Sequence, residues 1–212
     1  DPVKDFAPVT ALGRGGQVLV VNPTVKANSV AELIALAKKE PGKIAFGSGS
    51  SSSRIACELF QQMTGVELLH IPYKSNPLAI NDLLGGQIHM MITDMATGLP
   101  QIKAGKLRGL GVSTKARSPL APDLPTIDEA GVKGYEMTYW FAAYVPAGTP
   151  ADGIEKLRTL LINATKSPAA ATFYGPTGTE IFTSTSAELA KFQLAEAEKW
   201  GKIIRAAKIE AE

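Results

Sequence analysis

Between residues 17 and 113, short apolar runs alternate with amphipathic helical patterns, and this constrains the fold more than any single motif. Extended runs at 17–21, 43–46, 66–71, 88–93 and 107–113 enclose helical stretches, with short connections between them. Ser29 and Glu32 stand as a capping box ahead of a stripe of Leu33, Ile34 and Ala37, and Pro41-Gly42 stops that helix. Asn76 reads as an N-cap before Pro77, with Gly85-Gly86 as the stop. Strands joined through helices predict a parallel sheet with helices on its faces.

The flanking regions are less regular. Residues 7–12 and 17–21 read as two extended runs split by Gly13-Arg14-Gly15-Gly16. After a proline- and serine-rich loop at 115–125, Thr126 and Glu129 form a second capping box, predicting a very short helix that ends at Gly131. The run 137–145 carries Tyr139, Trp140, Phe141 and Tyr144 and reads as a covered strand. Three further helices are signalled at 149–152, 167–168 and 185–188.

With 212 residues, 45% of them hydrophobic and 20% charged, the chain can fold as one large domain or two lobes. A net charge of +2 without a basic block argues against nucleic acid as partner. No apolar run approaches the roughly 20 residues that span a bilayer. Cys57 excludes an internal disulfide and reads as a small packed residue. His70 and His89 are isolated, so neither a metal site nor a cofactor is signalled, and both read as structural. The chain opens without a leader-type n-region or h-region, leaving a cytoplasmic protein or a leader upstream of residue 1.

The segment with the clearest chemistry follows the run at 43–46: Gly47, Ser48, Gly49, Ser50, Ser51, Ser52, Ser53 and Arg54. A strand, a loop of small residues and a helix start leave backbone N–H groups and hydroxyls free to face an anion, with the helix dipole adding positive charge. The segment is neither a Walker A loop nor a dinucleotide fingerprint, because Ser52, Ser53 and Arg54 replace the required residues. It lacks the Gly-x-Ser-x-Gly of a nucleophile elbow. Arg54 sits where the dipole disfavours a cation, which a bound anion would offset. Tyr73 and Asp94 fall at the ends of neighbouring strands, where ligands of such sheets bind. Asp94 also suits a plain N-cap. Trp140 is a further candidate pocket wall, against the commoner role of core packing.

Several stretches together resemble one family: residues 5–10, 47–59, His70-Ile71-Pro72-Tyr73-Lys74, residues 82–87, 102–108 and 125–131, and Pro146-Ala147-Gly148-Thr149-Pro150. They resemble, in order and across the chain, the Bug family of TctC-type substrate-binding proteins of tripartite tricarboxylate transporters. The resemblance implies an α/β, type II periplasmic-binding-protein-like fold, with one parallel or mixed-sheet lobe plus an incomplete second lobe. It implies a hinge-crossing segment at 1–15, a ligand-binding lobe at 16–136, and the C-terminal part of the family's first lobe at 137–212. The function implied is periplasmic capture of a small carboxylate (a di- or tricarboxylate, an acidic amino acid or an aromatic acid) for membrane permease subunits, with no cofactor. Site residues implied are Ser48 to Ser53 as the anion loop, with Tyr73 and Asp94 at the cleft. Family members commonly carry histidine at the position of Arg54 and glycine at Ser75-Asn76, differences that bear on the ligand. They also begin earlier, with a leader and a first lobe, so the chain is expected to be a fragment. Two other readings stand beside this one: acyl or phosphoryl transfer, if a base reaches Ser50 or Ser51, and a sensory binding protein signalling to a receptor.

Overall fold

The computed structural model describes residues 1–209. The elements run β1 (Phe6–Val21), α1 (Val30–Lys39), β2 (Ala45–Ser48), α2 (Ser51–Thr64), β3 (Leu69–Pro72), α3 (Asn76–Leu84), β4 (Met90–Asp94), α4 (Met95–Lys103) and β5 (Arg108–Val112). They continue with β6 (Thr138–Pro146), α5 (Ala151–Thr165), α6 (Pro168–Thr177), β7 (Thr179–Ile181) and α7 (Ser186–Ala206). Among the described residues two compact units result: Gly16–Thr138 with 203–209, and Asp1–Gly15 with Tyr139–Lys202.

In the first of these units the strands lie in the order β3-β2-β4-β1-β5. β2 runs parallel to β3 and to β4. β1 enters between β4 and β5 antiparallel to both, with Gln17 opposite Asp94 and Val21 opposite Met90. The sheet is therefore mixed, not parallel throughout, because the helical crossover rule governs β2 to β5 but not the strand that arrives from the other unit. Val18 and Val20 of β1 meet Met91, Met95, Leu99, Ala79, Leu83 and Ile88 in one buried cluster. α2 packs along β2 and β4, and Phe60 on its inner face meets Tyr135 edge-on at 6.4 Å.

The glycines at 13, 15 and 16 do not break β1, which is one strand of 16 residues. They answer to close neighbours instead. A Cβ on Gly15 would lie 2.3 Å from Tyr139 Oη, and one on Gly16 would lie 2.4 Å from Thr114 Cγ2. Nor is there a helix at Thr126. The reciprocal bonds of a capping box form, from Glu129 N–H to Thr126 Oγ1 and from Thr126 N–H to Glu129 Oε2, but they close a turn. Gly131, with φ of +113°, ends the segment before a helix can propagate.

In the second unit β1 pairs with β6 and, through Gly13, Arg14 and Gly15, with β7. Trp140, Phe192 and Phe182 stack edge to face at 5.3 and 5.4 Å, and the Arg14 guanidinium lies 4.7 Å from the Phe182 ring centre. Thr185 and Glu188 close a capping box at α7.

Candidate functional site

β2 ends at Ser48, and after Gly49 and Ser50 α2 begins. Ser50 is the N-cap: its backbone is extended and its Oγ accepts from the Ser53 N–H at 3.2 Å. Its carbonyl accepts from the Arg54 N–H. The N–H groups of Ser51 and Ser52 belong to the first turn, where helix geometry supplies no intrahelical acceptor. That turn carries no acidic side chain of its own.

The loop is held by Asn76. Its Oδ1 accepts the Gly49 N–H at 2.9 Å, and its Nδ2 donates to Asp94 Oδ2 at 3.0 Å. Asp94 in turn caps α4, accepting from the N–H and hydroxyl of Thr97 at 2.8 and 2.6 Å. The cap of α3 is Ser75, one residue before the position expected, which frees the Asn76 amide for this bridge. Gly49 is required by proximity, since a Cβ there would stand 1.9 Å from the Ser75 carbonyl carbon.

Beside the loop lies a cavity of about 390 Å³. Ser48, Gly49, Ser50 and Ser51 form one wall with Arg54 and Ile55 of α2. His70, Pro72 and Tyr73 contribute from β3 and its exit, and Ile204 and Ile209 from the end of the chain. Ser48 is buried, with its Oγ 2.7 Å from His70 Nε2. The Tyr73 hydroxyl donates to Asp82 at 2.8 Å. Burial, reinforced by the Asp82 carboxylate, pushes the phenol up to about 12, so it remains a neutral donor throughout the ordinary pH range. Burial also raises the Glu58 carboxyl, while the nearby Arg54 charge pulls it back.

The structure thus brings Ser48, Gly49, Ser50, Ser51, Arg54 and Tyr73 to one cavity. The other candidates stand elsewhere. The Ser52 hydroxyl pairs with Ser50 Oγ at 3.2 Å. Ser53 is fully buried and donates to the Ile92 carbonyl, fastening α2 to β4. Asp94 supports the loop through Asn76 and caps α4. Trp140 belongs to the other unit and packs against Phe192. His70, read from sequence as structural, lines the cavity. Asn76, Ile204 and Ile209 were not singled out as site residues. Asn76 carries a signal, an asparagine at a helix start, but its amide bridges Gly49 and Asp94 instead of capping α3.

The chemistry on offer is recognition of an anion by N–H groups, hydroxyls and a guanidinium. The His70 imidazole meets the Ser48 hydroxyl. Among the described residues, no group of three His, Cys, Asp or Glu side chains could hold a metal ion. The burial of Cys57 raises its thiol well above the ordinary value, so it is no nucleophile here.

Comparison with known proteins places this geometry. The family model described as the tripartite tricarboxylate transporter family receptor, TctC, matches residues 1–209. Protein BugT of Bordetella pertussis is 33% identical over 205 residues, 96% of this chain and 63% of its own length. A UPF0065 protein from the tcbD-tcbE intergenic region of a Pseudomonas species is 32% identical over 204 residues, 95% of this chain and 61% of its own. The chain therefore spans about three-fifths of the length of these curated relatives. Among solved structures, Rpa4515 of R. palustris with adipate superposes with a TM-score of 0.90 at 33% identity, covering 98% of this chain and 70% of that one. The periplasmic binding protein BugD superposes at 0.89 and 28% identity, covering 100% and 72%. Like these neighbours the chain has a type II binding-protein-like α/β fold, and it belongs to the TctC family of tripartite tricarboxylate transporter receptors.

Proposed function

We propose that the chain is the ligand-gripping part of a periplasmic solute receptor that captures a small carboxylate and presents it to membrane permease subunits. The observation that carries this reading is the start of α2. There Ser50 caps the helix, the Ser51 and Ser52 N–H groups have no helical acceptor, and Arg54 lines the same cavity. Membership of a transporter receptor family supports it, as does the adipate in a solved relative of 33% identity. No helix among the described residues is long and apolar enough to cross a membrane.

In this reading residues 16–136 form the ligand-binding lobe. Residues 139–202 contribute to the other lobe, 1–15 cross between the two, and 203–209 return to the ligand-binding lobe. Ligand capture would close the lobes by bending near residues 9–12 and 141–145. Ser48, Gly49, Ser50 and Ser51 receive the carboxylate, with Arg54 countering its charge. Tyr73 shapes the seat through its ring, and Asp94 steadies it from behind.

A carboxylate panel followed by thermal shift and titration calorimetry tests the reading. At least one carboxylate should raise the melting temperature and release saturable heat, and Ser51→Pro, which removes a first-turn N–H, should weaken binding about ten-fold. A flat response across the panel would sink the proposal.

A further inference from the structure

We infer that this site selects carboxylates whose remaining body is apolar, an aromatic or unsubstituted alkyl acid, and that Ile204 and Ile209 make the selection. The inference rests on the anion reading above and deepens it. α7 ends in a Schellman turn. Lys208 takes the left-handed conformation at φ +52°, its N–H bonds the Arg205 carbonyl at 3.2 Å, and the Ile209 N–H bonds the Ile204 carbonyl at 3.1 Å. That six-to-one closure sets the residue after the turn against the residue three before the cap, here one isoleucine against another. Both line the cavity of the serine loop.

The turn is anchored to the helix that carries the anion seat. Ile203 is buried, and its carbonyl accepts from Gln62 Nε2 of α2 at 3.0 Å. One helix therefore fixes both the polar wall at its first turn and, through Gln62, the apolar wall opposite in character. Ile55 and the Tyr73 ring extend that apolar lining. A ligand held by one carboxylate at the Ser51 N–H and the neighbouring hydroxyls of Ser48 and Ser50 would lay its body along isoleucine. A hydroxyl or second carboxylate on that body would lose water there without gaining a partner from these side chains. An aromatic or alkyl body would gain from burial.

Calorimetry with benzoate, hexanoate, malate and citrate on the wild type, Ile209→Asn, Ile209→Val, Ile204→Asn and Lys208→Gly decides the matter. Benzoate or hexanoate should bind at least about ten-fold tighter than malate or citrate. That preference should fall about ten-fold in the asparagine variants and by a smaller factor in Ile209→Val. The valine variant keeps the test valid if an asparagine variant does not fold. Lys208→Gly, in which glycine suits the left-handed turn, should keep the preference. Malate or citrate binding as tightly as the apolar acids, or a preference untouched by Ile209→Val and Ile204→Asn, would overturn the inference while leaving carboxylate capture intact. Failure of every carboxylate to bind would remove the function reading, and this inference with it.

Discussion

Asn76 holds the candidate site together with a single side chain. It receives the Gly49 N–H on one side and gives a hydrogen to Asp94 on the other, so the loop after β2 and the cap of α4 share one support. Two substitutions probe this support. Asn76→Ala leaves the Gly49 N–H without its acceptor and should cost about 1–3 kcal/mol in urea unfolding, with weaker ligand binding. Gly49→Ala drives a Cβ into the Ser75 backbone and should cost a similar amount, about 1–3 kcal/mol, by displacing the loop. Wild-type unfolding midpoints in both variants would show that the loop is not fixed this way. The serines were legible in the sequence because an N-cap and a free first turn are local features. The partners of Asn76 were not, because they come from residues 27 positions upstream and 18 downstream, brought near only by the parallel pairing of β2 with β3 and β4.

Among the elements, α2 does two jobs on two faces. Its first turn meets the cavity, while Ser53, Ile55, Ala56, Cys57 and Phe60 face inward. Ser53 donates to the Ile92 carbonyl of β4, and the Tyr135 hydroxyl donates to the Ala56 carbonyl at 2.8 Å. Burial raises the Cys57 thiol in the folded state, so the thiolate that reacts with alkylating agents is scarcer there than in the unfolded chain at the same pH. Iodoacetamide at pH 8 should label Cys57 slowly in the native protein and rapidly in urea; equal rates would contradict the packing of α2. The helical stripe of α2 was plain in the sequence. The continuity of β1 was not, because its glycines carry the same letters as a turn and only the Tyr139 and Thr114 side chains reveal what they accommodate.

At the scale of the molecule, the two units differ in how much they bury. The unit built on Gly16–Thr138 has a continuous core, whereas α6 of the other buries no residue fully and leaves Phe173 69% exposed. The strand and helix alternation showed the α/β class in advance, and the family stretches showed the lobe type. The mixed sheet and the role of α7 depend on contacts between distant parts of the chain that no periodicity encodes. The central claim is that the first turn of α2 receives a carboxylate, and a crystal structure of the protein with a carboxylate that gives calorimetric heat tests it most directly. A ligand oxygen should lie about 2.7–3.2 Å from the Ser51 nitrogen, within the cavity shared by Arg54 and Ile209. A carboxylate bound elsewhere, with the Ser51 N–H facing only water, would contradict it.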